Sequence, residues 1–492
     1  MFPPQELPFP IGDSHPRPRD RALVVGIIAV GVALRLYHLG APSFWLDEAL
    51  SVAYAKLPWP QFTHLMAARE LNMLPYYLIL RAWIHLGTGE WMVRSLSVIC
   101  SVATLPLFYR LGIRLFGEQA GLIALALLSL HPYHIRFAQE ARGYSLMLLL
   151  VTASTLLLVR AMEDTAPTLA RTCTAYVATS ALAVYAHFYA GLAIISQWTS
   201  FGIARPRAFS RTLLVIAVVS IIVLLLPVAA FVFLGHADPA GWIPQPTVRR
   251  VEYLLYSVMG GDNTHGARIL AYPFYVIALF AFVVRARAAL RVRVPDDDAW
   301  HHALVISGAI LPIVLVLVVS IVKPIFVDKY LIECLPFAVL LLAAGVAYVR
   351  PRSLSLGVLI AMIAISAHAI IIYYNHSDKD DWRAATHYVL ASAQRDDAAL
   401  FFPRYVDAPF QYYRGSGDTT VSGVTAIYPR TLPVAEATDA LASVQLEHGR
   451  LWAIFSRDGD AGAAIRDSLS RRYSVLSDSQ FTGVRVVLYK LR

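Results

Sequence analysis

Apolar residues in this chain come in long runs broken by short polar segments, up to Tyr374. A helix needs roughly 20 apolar residues to cross a hydrocarbon core, and by that measure the pattern predicts about eleven spans. Clusters of Lys and Arg at the ends of apolar runs record orientation. Arg17, Arg19 and Arg21 precede the first run, Arg21 to Leu39, which reads as a retained helix rather than a cleaved signal. Arg110 with Arg114, Arg160 with Arg171, Arg205 to Arg211, Arg285 to Arg293, and Arg350 with Arg352 mark further inside loops. This alternation closes only if Leu74 to Leu86, short and rich in Tyr and Trp, lies at the interface instead of spanning.

The outer face then collects Leu39 to Val93, His131 to Tyr144, the His187-Phe188-Tyr189 corner, Gly235 to Arg268, and Lys323 to Tyr330. Within the first of these loops, Ser43 to Lys56 and Pro60 to Glu70 predict amphipathic juxtamembrane helices, with Trp45, Trp59 and Trp83 at headgroup level. After Tyr374 the chain turns polar. Helical patterns near Asp381 to Gln394 and Val434 to Leu446 alternate with short apolar runs at Ala398 to Pro403, Leu451 to Phe455 and Val484 to Tyr489. These predict a small C-terminal α/β domain, placed by parity on the outer side. The expected division is therefore 1–374, a polytopic α-helical membrane domain, and 375–492, an extracytoplasmic domain.

Composition agrees with a membrane protein: 57% hydrophobic and 15% charged over 492 residues, with a mean hydropathy of +0.56. The net charge of +9 sits at the ends of apolar runs, without the basic stripe that nucleic acid requires. Cys100, Cys173 and Cys334 lie in or beside apolar runs and imply no disulfide framework or metal spacing.

Candidate chemistry gathers at the outer ends of the spans. In Trp45-Leu46-Asp47-Glu48-Ala49 two adjacent carboxylates follow the first span. Asp47 is the candidate general base, with Glu48 able to raise its pKa or orient an acceptor; the structural alternative is that Asp47 caps a helix. Cations nearby would hold an anionic leaving group such as a lipid phosphate: Arg94 at the start of the second span, Arg35 a turn or so below the outer end of the first, and Lys329 in Asp328-Lys329-Tyr330. Each could instead snorkel to the headgroups.

The run from His131 to Tyr144 is dense in polar groups, with Glu140 and Arg142 as substrate-binding candidates or as partners of each other. His131 and His134 could ligate a divalent metal, but no third ligand is evident and none is required by the reading. His187 is a substrate-binding or interface histidine. The tail reads as a solvated face with no separate active site, and Asp380-Asp381 as a helix cap.

Together these motifs resemble the GT-C membrane glycosyltransferases, in particular bacterial members of glycosyltransferase family 39, relatives of protein O-mannosyltransferases and the lipid A aminoarabinose transferase. The likeness rests on Trp45-Leu46-Asp47-Glu48, Asn72 to Trp83, Arg94-Ser95-Leu96-Ser97, Gln139-Glu140-Ala141-Arg142-Gly143-Tyr144, His187-Phe188-Tyr189, Lys329-Tyr330-Leu331 and Asp381-Trp382-Arg383-Ala384-Ala385. It implies a GT-C fold and inverting transfer from a polyprenyl-phosphate sugar at the outer face of a bacterial inner membrane, to a lipid, glycan or protein acceptor. In that frame the amino terminus is cytoplasmic and the C-terminal domain periplasmic. The first-loop acids map onto Asp47 and Glu48, the arginine that contacts donor phosphate onto Arg94, and a late basic residue onto Lys329; Tyr330 is expected at the donor phosphate beside it and Asn72 among the substrate-binding residues. The His-Pro-Pro element of eukaryotic mannosyltransferases is replaced by Asn72-Met73-Leu74-Pro75, so a protein acceptor does not carry over. A transporter or flippase of lipid-linked glycans is the competing expectation; it predicts internal repeats and polar groups near mid-membrane.

Overall fold

The computed structural model describes residues 18–491 except 235–240, 242, 262–264, 292–293, 377–378, 396, 416–420, 426–448 and 457–458. Most of the chain is helical. The first helix, α1 (Pro18–Leu36), leads into a long loop that carries α2 (Leu46–Lys56), α3 (Trp59–Ala68) and α4 (Leu74–Trp83). At ten residues, α4 is too short to cross a bilayer, and its Tyr76, Tyr77 and Leu80 pack inward. Both helices expected in this loop form, and the segment after them is a helix too short to span.

Helix α5 (Glu90–Ser129) is two arms joined at Gly117, whose φ of 85° breaks the helix. The arms fold back on each other: a methyl on Gly112 would lie 2.9 Å from the Gly121 backbone. Only a glycine pair permits that approach, and the reversal falls just after Arg110 and Arg114. The short α6 (Pro132–Ala138) then leads into α7 (Tyr144–Ala161), α8 (Ala166–Ala186), α9 (Ala190–Ile203), α10 (Arg211–Leu224) and α11 (Leu226–Leu234). After these come α12 (Val248–Val258), α13 (His265–Leu290), α14 (Asp297–Ser320), a 3-10 turn (Asp328–Cys334), α15 (Leu335–Tyr348) and α16 (Arg352–Asn375).

Among the described residues, six helices are long and apolar enough to cross a membrane, or seven if α10 and α11, bent by 50°, form one span. The protein is thus multi-pass, but the count by this measure falls below the eleven or so expected. The passes below it are α1, α8, α9 and the return arm of α5. Charges flank α1, Arg171 and several threonines dilute α8, and α9 and the return arm are short. They are held by packing against neighbours, α8 on α7 and α9 on α14.

Beyond Asn375 the chain builds a five-stranded sheet from β1 (Asp397–Phe402), β2 (Val421–Thr425), β3 (Arg450–Ser456), β4 (Ser474–Phe481) and β5 (Val484–Lys490), in the order β2-β1-β3-β5-β4. Strand β1 is parallel to β2 and β3, and β5 is antiparallel to β3 and β4. Helix α17 (Trp382–Ser392) and α18 (Asp407–Arg414) cover one face; α19 (Gly459–Arg472) covers the other. Burial on both faces makes β1 and β3 nearly continuous apolar runs, which is why they were legible in sequence. Edge strand β4 is largely exposed and polar, and gave no such signal. The helix expected at Val434 to Leu446 and part of the loop Gly235 to Arg268 lie outside the described residues, as does Arg17.

The small domain is docked onto the loop after α1 and the head of α5. Ser43 Oγ donates to Asp380 O (2.7 Å) and accepts from Trp382 N–H (3.0 Å). Arg383 pairs with Glu90 at 2.5 Å, and Tyr413 donates to the same carboxylate (2.9 Å) while accepting from Phe44 N–H (2.6 Å).

Close helix packing supplies a stability test. A methyl on Gly345 would sit 2.1 Å from Ala278 O, so α13 and α15 would have to separate. Gly345→Ala should cost about 1–3 kcal/mol and lower the unfolding midpoint in detergent, whereas Gly26→Ala, with nothing within 4 Å, should leave it unchanged.

Candidate functional site

Asp47 and Glu48 occupy the first turn of α2, where carboxylates suit the positive end of the helix dipole; the N-cap position belongs to Trp45. Consecutive residues on a helix do not face each other. The two carboxylates therefore diverge into different surroundings, and the adjacent pair read from sequence is not a pair in space.

Glu48 points into the protein. Its side chain and that of Arg94 are both 0% exposed, and they meet at 2.7 Å. Arg94 donates from Nε and Nη2 to the two Glu48 oxygens (2.8 and 2.7 Å). Its remaining N–H groups reach Leu39 O (2.9 Å), Pro42 O (2.8 Å) and Ser43 O (3.1 Å). A guanidinium has five N–H donors, and here each has a protein acceptor. This corrects the expectation that Arg94 holds a donor phosphate. Glu48 also accepts from Ala141 N–H (2.9 Å) and Lys379 Nζ (3.2 Å). Burial opposes its ionisation, but Arg94 and Lys379 outweigh burial and hold its pKa down at about 2. A buried, saturated carboxylate cannot orient an acceptor, so Glu48 is a structural hub and not a catalytic acid.

Arg35 receives the same correction. It is fully buried, and donates to Ser101 Oγ (2.7 Å), Gly31 O (2.7 Å), Ser129 O (3.0 Å), Leu128 O (3.2 Å) and His134 Nδ1 (2.8 Å). Because arginine only donates, His134 accepts at Nδ1 and turns its Nε2–H to Ser101 Oγ (3.2 Å). His131 faces Val258 O through Nε2 (3.1 Å). Burial lowers the pKa of both histidines. Among the described residues no group of three or more His, Cys, Asp or Glu is arranged to hold a metal.

Asp47 points the other way and stays partly exposed. It pairs with Lys329 Nζ at 3.1 Å, the two side chains being 23% and 22% exposed. The 3-10 turn presents Lys329, whose ammonium lies 4.7 Å from the Trp45 ring centre, with Tyr144 and Tyr330 about it at 6.0 and 5.9 Å. Arg142 lies close enough to act electrostatically on Asp47, Tyr144 and Tyr330. It donates to Tyr77 Oη (2.9 Å), and its buried Nε has no partner among the described residues. The side chain of Glu140 does not meet Arg142; it faces Arg136 at 3.9 Å, and its Oε2 has no hydrogen-bond partner. Burial pushes the Glu140 carboxyl up.

His187 is buried and packs against Tyr144 and Tyr330, with ring centres 5.6 and 4.8 Å away. Its Nδ1 accepts Tyr189 N–H (3.3 Å), so Nε2 carries the proton, and that atom has no partner among the described residues. Burial, with Arg142 and Lys329 nearby, lowers the His187 pKa to about 3, so the ring is neutral. The buried Tyr144 hydroxyl is also unpartnered. Arg142 Nε, His187 Nε2 and Tyr144 Oη thus offer buried donor capacity around Lys329, where an anion would satisfy them. Asn72 uses its carboxamide oxygen to accept Phe188 N–H (3.0 Å), which fixes the loop before α4 to the His187 corner.

Two residues at the site escaped the sequence reading. Lys379, just after the last membrane helix, bridges Glu48 and Gln139 O (3.0 Å); burial lowers its pKa, with Glu48 opposing. Its only signal was a lysine at the outer end of an apolar run, in a tail taken for a solvated face. Glu70, just past α3, accepts from Tyr54 Oη (3.3 Å) and is near enough to feel Arg142 and Asp47. In sequence it was merely the end of an amphipathic helix.

Residues 73–231 match the family described as dolichyl-phosphate-mannose-protein mannosyltransferase. Solved structures of similar fold include ArnT from Cupriavidus metallidurans in the apo state, at 13% identity and a TM-score of 0.59 over 96% of this chain and 98% of that one. ArnT bound to undecaprenyl phosphate gives 13% and 0.57 over 95% and 98%. The oligosaccharyltransferase AglB from Archaeoglobus fulgidus, in complex with an inhibitory peptide and a dolichol-phosphate, gives 8% and 0.56 over 96% and 74%. No curated protein matches the sequence. The chain therefore has the GT-C fold, as its motifs led us to expect.

The different fates of the two acids give a test. Removing one partner of a buried ion pair costs on the order of 3–5 kcal/mol, so Glu48→Gln and Arg94→Met should each sharply lower the unfolding midpoint, while Asp47→Asn should change it little. The pKa of Glu48 is depressed in the folded state, so its stabilisation is full above the unfolded carboxylate value, about 4.3, and is lost as pH falls towards 2. Acid unfolding of Glu48→Gln should accordingly be less steep than that of the wild type between those limits.

Proposed function

We propose that the protein is an inverting glycosyltransferase that moves a sugar from a polyprenyl-phosphate-linked donor to an acceptor hydroxyl or amine. The observation that carries this reading is the partly exposed Asp47–Lys329 pair, with nearby buried donors of Arg142, His187 and Tyr144 that have no partner among the described residues. The undecaprenyl phosphate and dolichol-phosphate named for the ArnT and AglB structures support a lipid phosphate as the anion.

In this scheme Lys329 and Arg142 take the phosphate of the arriving donor. The ammonium acts as a point charge and the guanidinium supplies directional N–H groups. His187, held neutral, adds a hydrogen bond without adding charge. The bond from the anomeric carbon to the phosphate oxygen breaks, and its electron pair leaves with the lipid phosphate. The acceptor heteroatom bonds to the opposite face of that carbon, and its proton passes to Asp47. No step draws on a metal. We place the pocket and the C-terminal domain at the outer face of a bacterial inner membrane, with the amino terminus cytoplasmic, as the basic clusters indicate.

Release of undecaprenyl phosphate from an undecaprenyl-phosphate sugar by purified protein in nanodiscs tests the reading. Asp47→Asn should lower the rate by about 100-fold or more while binding of undecaprenyl phosphate persists. Arg142→Met and Lys329→Ala should each weaken that binding by roughly tenfold or more. Unimpaired turnover by Asp47→Asn would remove Asp47 as the base.

A further inference from the structure

Lys379 is a second cation beside a carboxylate that is already neutralised. Arg94 bonds both Glu48 oxygens (2.8 and 2.7 Å), and Oε1 also takes the Ala141 N–H (2.9 Å). An ammonium is costly to take out of water, yet the Lys379 side chain is only 13% exposed. Its Nζ lies 3.2 Å from Glu48 Oε2 and 3.0 Å from Gln139 O. Those acceptors belong to different segments: Glu48 follows Asp47 on α2, and Gln139 opens the turn that leads through Arg142 to α7. Gln139 is anchored on its own account. Its carboxamide donates to Arg35 O (3.0 Å) and Tyr37 O (2.7 Å) and accepts from Tyr373 Oη (3.0 Å). Lys379 therefore ties α2 to a turn that is held in place without it.

The C-terminal domain holds the lysine in turn. Asp380 O and Trp382 N–H both meet Ser43 Oγ. On the other side, Asp380 Oδ2 accepts from Ser456 Oγ of β3 (3.3 Å), and Asp381 N–H donates to Thr482 O between β4 and β5 (2.8 Å). The sheet thus reaches Glu48 through one side chain.

We propose that Lys379 is a positioning residue, through which the seated C-terminal domain holds α2, and with it Asp47, in register with the Arg142 turn. This inference rests on the glycosyltransferase reading and gives the tail a part in it. Without Lys379, Arg94 and Ala141 still keep Glu48 inward and the fold persists, but α2 loses its tie to the domain. Proton transfer to a base is sensitive to displacements of an ångström or less, so the loss falls on the rate and not on donor binding.

The test uses the full-length protein in nanodiscs, a panel of undecaprenyl-phosphate hexoses and pentoses as donors, and octyl glucoside as acceptor. Undecaprenyl phosphate release and binding are measured for Lys379→Met and Lys379→Arg, and for Lys379→Met combined with Asp47→Asn. Lys379→Met should lower kcat about tenfold while the donor KM and undecaprenyl phosphate binding stay within about twofold; Lys379→Arg should recover part of the rate. In the Asp47→Asn background the same change should alter the residual rate by less than about twofold, because its effect runs through Asp47. Wild-type kcat in Lys379→Met, an equal loss in both backgrounds, or no recovery in Lys379→Arg overturns the assignment and leaves the transferase reading intact. A raised donor KM or lost undecaprenyl phosphate binding in Lys379→Met also overturns it, since the residue would then serve the donor or the fold. Absence of release by wild type across the panel, or a full rate in Asp47→Asn, overturns both.

Discussion

The buried bond between Glu48 and Arg94 is the constraint on which the rest of this end of the molecule depends. Two charges removed from water must satisfy each other and every remaining donor and acceptor, or the fold suffers several kcal/mol. Here they do so by gathering distant pieces of chain: the turn after α1 through Leu39, Pro42 and Ser43, the loop after α6 through Ala141, and the start of the tail through Lys379. Satisfying that pair fixes the rotation of α2. Once Glu48 is turned inward, Asp47 is turned towards Lys329.

The cluster that results gathers cations about a carboxylate. Lys329, Arg142, His187 and Tyr144 come from three segments far apart in the chain and lie about Asp47, which Lys329 meets at 3.1 Å. The low His187 pKa belongs to the same design, because burial beside two cations keeps the ring neutral and able to donate without adding repulsion.

The C-terminal domain is tied into this arrangement. Its first residues reach Ser43 and Glu48, and Arg383 and Tyr413 bind Glu90 at the head of α5. A disturbance of its seating would be felt at α2 before anywhere else, which links a soluble-looking module to the geometry at the membrane edge.

Sequence alone determined the class of the molecule, because membrane helices, basic ends and short buried strands are local patterns set by the solvent each segment faces. It also singled out Asp47, Lys329, Arg142 and His187 as outer-face residues. It could not separate Asp47 from Glu48, since the distinction is one of helix rotation set by the distant Arg94. Nor could it tell a guanidinium offered to a ligand from one whose donors are taken by backbone carbonyls, as at Arg94 and Arg35; that depends on atoms contributed by other segments. Glu70 and Lys379 were silent for the same reason. Each is an ordinary charged residue at the end of a helix until tertiary packing places it beside Asp47 or Glu48, and only the folded chain supplies those neighbours.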